Sequence, residues 1–290
     1  MNRTFHCALS ALFAFWIALS FPVCSLAAQF DITFPSRGAE IPATVNLPEA
    51  RGGALPVVVF AHGHNGSRDE NRGFIAIADA LADAGFASVR MDFAGCGASS
   101  ESFLSNCLTT MKADLAAAVA YAQTHLNASC IGLFGYSMGG RVILEALAEG
   151  LDANAVALLA PAADTQDLIR TTFEDFEAMH EKAKTDGYCP NHFGDGQVEE
   201  LSLAWFDDLL RYDDPALSAA QAYSGPALVL YAQDDAIISP AVCEHVAAML
   251  EAETADASGK GHGYGFFLET DPIRKGIAQN IVHFFSMHLR

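Results

Sequence analysis

The stretch Gly135-Tyr136-Ser137-Met138-Gly139 sets a serine between two glycines. Residues 130–134 before it are apolar, as in a buried strand, and residues 138–148 after it have the spacing of a helix. A chain that turns from strand to helix so sharply needs neighbours nearly free of side chains, which the flanking glycines supply. Such a turn lifts the Ser137 hydroxyl above the sheet and directs the positive end of the helix dipole toward it. We therefore predict that Ser137 is a nucleophile.

A serine hydroxyl reacts only when a base takes its proton and a carboxylate orients that base. His262 stands between two glycines, in a loop before the terminal helix, where its side chain can reach over a sheet edge. The other histidines after Ser137 lie in predicted helices or in the segment 162–224, and we expect them to be surface or packing residues. Asp234 and Asp235 both follow the strand predicted at residues 227–231, so position alone leaves two candidates for the acid.

A tetrahedral intermediate needs two backbone N–H donors for its oxyanion. Met138 N–H, directly after the nucleophile, is one candidate. The loop His62-Gly63-His64 follows another apolar strand, and we assign the second donor to His64 N–H. With Asp69 nearby, the same loop also resembles two-histidine metal sites. No second cluster of histidines and acids accompanies it, so we expect no metal and no other cofactor.

These motifs resemble the α/β-hydrolases over almost the whole chain after residue 28. The branch they resemble holds serine aminopeptidase-like, monoacylglycerol-lipase-like and feruloyl (cinnamoyl) esterase-like members. The segments that carry the resemblance are Ala61-His62-Gly63-His64, Asp92-Phe93-Ala94-Gly95-Cys96-Gly97-Ala98-Ser99, Gly135-Tyr136-Ser137-Met138-Gly139-Gly140, Asp235 and Gly261-His262-Gly263.

The resemblance implies the chain order serine, acid, histidine, and a loop in which the acid precedes a proline by five residues. It therefore selects Asp235 over Asp234, which becomes a loop or capping carboxylate. It also implies that the turn at residues 95–99 shapes the acyl pocket. Two positions depart from the family pattern: Ala94, where many relatives carry arginine, and Ala232, where many carry glycine.

The candidate residues need a sheet whose strand ends meet at one edge. Residues 29–34 and 40–47 alternate apolar and polar side chains and predict an antiparallel pair, with Pro42 confining the second strand to a sheet edge. Further strands are predicted at 55–61, 86–93, 130–134, 155–159, 227–231 and 253–257, and helices at 74–84, 111–122, 138–148, 240–250 and 272–288. This alternation predicts an α/β fold with a doubly wound, mostly parallel sheet.

The segment 162–224 is too long for a single crossover between its flanking strands. We predict an inserted helical cap over the carboxyl edge of the sheet, between the two core parts 29–161 and 225–290. Its aromatic residues Phe173, Phe176, Trp205 and Phe206 are candidate substrate contacts. The alternative is a second small domain that packs through these aromatics without touching substrate.

Residues 1–28 have the order of a secretory signal: a basic residue, an apolar run at 7–21, and small residues at Ser25, Ala27 and Ala28. We expect cleavage after Ala27 or Ala28 and a secreted or periplasmic protein. The alternatives are an uncleaved membrane anchor and lipidation of Cys24.

Loss of the leader would remove Cys7 and Cys24 from the seven cysteines. Cys96 and Cys107 are then the pair closest in sequence, and an oxidising compartment would favour a bridge between them. The alternative is that the remaining cysteines are buried or unpaired thiols.

The composition limits the possible partners. With 51% hydrophobic and 18% charged residues, the 290-residue chain is expected to fold around a large core rather than to be disordered. Sixteen basic against 35 acidic residues give a net charge of −19, which opposes nucleic-acid binding. We expect a small-molecule ester as partner and no membrane contact once the leader is removed. Nothing in the sequence indicates an oligomeric state.

The leading hypothesis is a serine hydrolase that cleaves carboxylic esters, including those with aromatic or hydrophobic acyl groups. An aminopeptidase or amidase would use the same catalytic groups, with cap acids to anchor an amine: Glu174, Asp175, Glu177, Glu199 and Glu200. A thioester hydrolase is a further alternative on the same residues. A protein of a different class, a binding protein that has lost catalysis, would be expected to lack the nucleophile or the base.

Overall fold

The computed structural model describes residues 28–49, 53–192 and 198–289. Apart from Ala28, the predicted leader lies outside these ranges. No helix in the described part of the chain is long and apolar enough to cross a membrane. The strands are β1 (Ala28–Ser36), β2 (Ala39–Leu47), β3 (Leu55–Ala61), β4 (Ala87–Met91), β5 (Ala128–Tyr136), β6 (Ala155–Leu159), β7 (Tyr188–His192), β8 (Val198–Ser202), β9 (Ala227–Tyr231) and β10 (Glu253–Asp256). The helices are α1 (Gly73–Asp83), α2 (Leu108–His125), α3 (Met138–Ala148), α4 (Thr165–Thr172), α5 (Phe176–Asp186), α6 (Leu203–Leu209), α7 (Pro215–Ala222), α8 (Pro240–Met249) and α9 (Pro272–His288).

One sheet runs through the molecule in the order β1-β2-β4-β3-β5-β6-β9-β10. The pairs β1–β2 and β2–β4 are antiparallel, and the strands from β4 onward are parallel. The central strands are apolar because both of their faces are covered, and all residues of β4 and β6 are buried. Helix α1 packs against α9, while α3 packs against α2 and α7. The predicted doubly wound, mostly parallel sheet is confirmed.

The sequence predicted that Pro42 confines β2 to a sheet edge, and this prediction is wrong. β1 is the edge strand, and β2 lies between β1 and β4. Proline is accepted there because the ladder to β4 covers only Ala43 to Asn46, so the missing N–H falls just outside it. The Pro42 carbonyl still accepts a hydrogen bond from Asp92 N–H at 2.9 Å.

The segment between β6 and β9, which we call the cap, is not purely helical. It contains the helices α4 to α7, and an antiparallel pair of strands, β7 and β8, lies between α5 and α6. The two strands are short and carry several polar residues, such as Glu199 and Glu200, so no apolar run in the sequence predicts them. The cap follows the end of β6 directly and therefore begins at the carboxyl edge of the sheet.

The suspected bridge between Cys96 and Cys107 is absent from the structure, in which both are buried free thiols. Cys96 Sγ lies 3.6 Å from Asn106 Nδ2. Cys107 occupies the position before the first turn of α2, where its Sγ lies 3.6 Å from Thr110 Oγ1. Both sulfurs thus have local partners in the turn that leads into α2.

Candidate active site

Ser137 sits at a sharp turn between β5 and α3. Its backbone has φ +53° and ψ −118°, a region that residues with side chains rarely occupy. Space is also limiting, because a Cβ on Gly139 would lie 2.0 Å from the Ala61 carbonyl oxygen, and one on Gly135 would lie 2.7 Å from the Gly139 oxygen. Gly135 is therefore required for α3 to lie this close to the end of β5, and Gly139 for α3 to lie this close to the end of β3.

The structure brings the three predicted catalytic residues together from three separate loops. His262 Nε2 lies 3.0 Å from Ser137 Oγ, and His262 Nδ1 lies 2.7 Å from Asp235 Oδ2. The Asp235 carboxylate accepts a hydrogen bond from Nδ1–H, which leaves Nε2 unprotonated and able to accept the Ser137 hydroxyl proton. Ser137 follows β5, Asp235 follows β9 and His262 follows β10, so the parallel register of the sheet positions all three at one edge.

Asp235 is held by four hydrogen bonds. Its Oδ1 accepts the backbone N–H groups of Ile237 and Ile238 at 2.9 and 3.0 Å. Its Oδ2 accepts both His262 Nδ1–H and the Tyr264 hydroxyl, the latter at 2.9 Å. Burial alone would raise the pKa of Asp235, but the bonds from His262 and the two backbone groups outweigh it and lower that pKa. The carboxylate is therefore ionised and fixed opposite the imidazole.

Asp234 accepts hydrogen bonds from the backbone of the loop that carries His262. Its two carboxylate oxygens accept Gly259 N–H at 2.8 Å and Gly261 N–H at 3.1 Å. Tyr136, beside the nucleophile, donates its hydroxyl to the His262 carbonyl at 2.5 Å. The histidine backbone is thus anchored from both sides, and Asp234 is a loop carboxylate, as expected.

The loop at the end of β3 is fixed around the peptide between Gly63 and His64. His62 Nε2 accepts Phe93 N–H at 3.0 Å, so its proton is on Nδ1, which donates to the Gly63 carbonyl at 2.7 Å. Gly66 N–H donates to the same carbonyl at 3.1 Å. Burial lowers the pKa of His62 to about 4, which keeps this imidazole neutral. The peptide that carries His64 N–H therefore has a defined orientation.

Glu70 supports the same loop from within the pocket wall. Its Oε2 accepts Gly63 N–H at 3.0 Å, and a Cβ on Gly66 would lie only 2.4 Å from that oxygen. Glu70 is also the first of three consecutive residues with positive φ, at +41°, +50° and +74° for Glu70 to Arg72. Burial raises the pKa of Glu70 to about 7, although the bond from Gly63 acts in the opposite direction.

A pocket of about 530 Å³ opens over these residues. Both proposed oxyanion donors border it: His64 in the β3 loop, and Met138, whose N–H is in the first turn of α3 and has no acceptor within the helix. Ser137 is only 9% exposed. The pocket therefore lies directly over Ser137 and is closed on one side by the cap.

The four predicted aromatic contacts divide into two pairs. Phe173 and Trp205 line the pocket, with ring centroids 5.6 Å apart. Phe176 and Phe206 do not line it, because their rings pack on each other at 5.3 Å inside the cap. Phe206 also stacks on His180 at 5.5 Å. The cap therefore both borders the pocket and has an aromatic core of its own.

Three further groups around the site were given no role by the sequence analysis. The fold brings Tyr264 to Asp235 and Tyr136 to His262. It also brings Glu70 to Gly63. The signal for Tyr264 was its place two residues after His262. Among the described residues, no group of three or more His, Cys, Asp or Glu side chains is placed to hold a metal ion.

Comparisons with known proteins agree with this architecture. The family model described as alpha/beta hydrolase fold matches residues 56–187. Est1E from Butyrivibrio proteoclasticus has a similar solved structure, with a TM-score of 0.71 and 18% identity over 89% of this chain and 98% of that one. Est1E has also been solved with ferulic acid bound, and that structure is 19% identical. The esterase domain of a Rhodothermus marinus protein is 19% identical, with a TM-score of 0.68 over 91% of this chain and 100% of that one.

No curated protein matches the chain significantly by sequence. The family match covers the segment that contains the β3 loop and the Ser137 turn, and the two solved structures cover 89% and 91% of the chain. The chain therefore has the α/β-hydrolase fold, and solved esterases are among the structures that it resembles.

Proposed function

We propose that this protein is a serine hydrolase that cleaves carboxylic esters through an acyl-enzyme. The observation that carries the proposal is the continuous hydrogen-bonded chain from Ser137 Oγ through the His262 imidazole to Asp235, beneath a pocket. Nucleophile, base and orienting acid stand within hydrogen-bond distance of one another, as acyl transfer by serine requires.

In the first half of the reaction, Ser137 Oγ attacks the ester carbonyl carbon as its proton passes to His262 Nε2. The carbonyl oxygen becomes an oxyanion, which Met138 N–H and His64 N–H stabilise. When the intermediate collapses, the bond to the alcohol oxygen breaks and His262 returns the proton to the leaving alcohol. Water then attacks the acyl-enzyme by the same route and releases the acid.

The cap supports an acyl group with aromatic or hydrophobic character. Phe173 and Trp205 give the pocket wall two rings against which a flat acyl group can pack. Est1E, solved with ferulic acid bound, is similar to this chain over most of its length. We propose esters of aryl-propenoic or similarly bulky acids as the preferred substrates.

The amidase alternative has less support from the pocket. None of the five cap acids that were candidates to anchor an amine lines it. Glu174, Asp175, Glu177 and Glu200 are exposed, and Glu199 is buried against His64. Thioesters would use the same catalytic groups, and hydrolysis assays decide between them.

The experiment is a hydrolysis panel of acetyl esters, aryl-propenoate esters, acyl thioesters and aminoacyl amides, run on the wild type and on Ser137→Ala. We expect esters to be the best substrates and Ser137→Ala to lose about 10⁴-fold to 10⁶-fold in kcat while remaining folded. An organophosphonate should label the wild type stoichiometrically and leave the variant unlabelled. Absence of labelling in folded wild type would favour a binding protein without catalysis, and faster amide turnover would favour the peptidase.

We also propose that the leader is removed by cleavage after Ala27 or Ala28 during export to the periplasm or the exterior. The order of a basic residue, an apolar run at 7–21 and small residues at Ser25, Ala27 and Ala28 supports this proposal. Mass spectrometry of the exported protein tests this, since an amino terminus at Ala28 or Gln29 is expected and retention of Cys24 would contradict it.

A further inference from the structure

One residue of the cap reaches the loop that carries the proposed second oxyanion donor. Glu199, in β8, accepts a hydrogen bond from His64 Nε2 at 2.8 Å. The two residues are 135 positions apart in the chain. Glu199 is only 4% exposed, and the His64 side chain is 22% exposed, so the contact is largely shielded from water.

The His64 ring is also bordered by aromatic rings on the core and on the cap. Phe103 meets it edge to face at 5.7 Å, and Trp205 does so at 5.9 Å. Since the ring and the backbone N–H share one Cα, a fixed ring limits how the loop can turn. The position of His64 N–H therefore depends on cap residues as well as on the bonds to Gly63.

The environment of Glu199 indicates that its placement serves more than cap stability. Within the described part of the chain, its second oxygen, Oε1, is buried without a hydrogen-bond partner. A buried carboxylate oxygen left unsatisfied is unfavourable, so the arrangement calls for an explanation. Glu199 does not line the pocket, which argues against direct contact with substrate.

We propose that Glu199 is a positioning residue for the oxyanion hole, which fixes His64 so that its backbone N–H points at the developing oxyanion. The cap then takes part in catalysis even for substrates too small to touch its aromatic wall. This inference rests on the proposed function. It extends that function by making one of the two oxyanion donors dependent on cap placement.

The test compares kcat and KM on phenyl acetate, whose acetyl group offers the aromatic wall the least acyl surface among the proposed substrates. In Glu199→Ala, kcat should fall on the order of 10-fold to 100-fold, because the donor is displaced rather than removed. KM should stay within about twofold, since ground-state binding is unaffected. Glu199→Gln should stay within about threefold of wild type in kcat, because its amide oxygen can accept the same His64 proton.

The matched control is Glu181→Ala, which removes another cap glutamate from its bond to Lys184 at 2.7 Å on the outer surface. It should retain wild-type kcat. If Glu199→Ala does not fold, Glu199→Asp keeps the charge but shortens the side chain and should show the same selective loss of kcat. Circular dichroism and the melting temperature establish that each variant is folded.

A wild-type kcat in folded Glu199→Ala or Glu199→Asp, with changes only in KM or melting temperature, would overturn the inference and leave the proposed function standing. Equal losses in Glu199→Ala and Glu181→Ala would do the same. An inactive wild type that no phosphonate labels would overturn the proposed function, and this inference with it.

Discussion

Asp234 and Asp235 are adjacent in sequence, but their carboxylates have different partners. Asp235 receives His262 Nδ1–H and the Tyr264 hydroxyl, whereas Asp234 receives two backbone N–H groups of the loop before His262. One carboxylate faces the imidazole, and the other shapes the segment that presents it. The family pattern around the following proline selected the same residue, Asp235, that the geometry places at the imidazole.

Substitution of each aspartate by asparagine should separate these roles. Asp235→Asn should lower kcat on the order of 10⁴-fold, because an amide no longer fixes the Nδ1–H tautomer or stabilises the imidazolium. Asp234→Asn keeps one oxygen acceptor for Gly259 or Gly261, so we expect a loss of no more than about 10-fold. Steady-state kinetics on one ester measure both, with melting temperatures as the folding control. Losses of equal size would contradict this separation of roles, and a larger loss in Asp234→Asn would make Asp234 the orienting acid.

The predictability of the site from sequence differs from residue to residue. Ser137 and His262 were accessible because glycines on both sides mark the turns that expose them. The role of Glu70 could not be predicted, because its contact with Gly63 N–H is made only in the fold. It lies in a run of three residues with positive φ that no composition rule indicates. Tyr264 likewise became significant only when the fold placed its hydroxyl 2.9 Å from Asp235.

At the scale of the element, helix α6 carries two neighbouring aromatic residues with different surroundings. Trp205 borders the pocket and meets Phe173, while Phe206 is fully buried against Phe176 and His180. Consecutive residues of a helix point in directions about 100° apart, so adjacent positions serve different surfaces. This is why a list of cap aromatics could not separate binding residues from packing residues.

The two positions provide a matched test of acyl specificity. Trp205→Leu should lower kcat/KM for aryl-propenoate esters on the order of 10-fold relative to acetyl esters, because it removes apolar wall from the pocket. Phe206→Leu should lower the melting temperature at least as much as Trp205→Leu does. It should leave the ratio of kcat/KM for aryl-propenoate esters to kcat/KM for acetyl esters unchanged. A ratio that changes equally in both variants would mean that cap stability, not wall contact, controls specificity.

Among the larger elements, the alternation of apolar strands and helices predicted the sheet and the nucleophile turn from sequence. The hairpin of the cap was missed because Val198–Ser202 is short and alternates exposed and buried positions within a polar segment. The position of Pro42 was misjudged because a single proline marks only where a ladder must stop, not which strand lies at the edge. Both errors concern pairing between segments, which local composition does not specify.

At the scale of the whole molecule, two buried groups give pH dependences of opposite sign. The pKa of Glu70 is raised to about 7 in the folded protein, from about 4.5 when exposed. Its contribution to stability is therefore present below about pH 4.5 and lost as the pH rises through about 7. The pKa of His62 is lowered to about 4 from 6.5. Its contribution is present above about pH 6.5 and lost as the pH falls through about 4.

Glu70→Gln should isolate the first of these contributions while keeping an oxygen that can accept Gly63 N–H. Between pH 5 and pH 8, the unfolding free energy of the wild type should fall by about 2 to 3 kcal/mol relative to the variant. Urea denaturation at intervals across this range measures the difference. A difference that stays constant with pH would show that Glu70 does not titrate in this window in the folded protein.

The strand order also has a consequence for the order in which the site can form during synthesis. Chains fold progressively as they emerge, and β1 to β6 can already form six adjacent strands before the cap and β9 are made. Until then β6 is an open edge, and Ser137 stands at the end of β5 with neither base nor acid. Asp235 and His262 arrive only after β9 and β10 have joined that edge. A nascent or truncated chain that stops before His262 can thus carry a folded nucleophile turn and yet remain chemically inert.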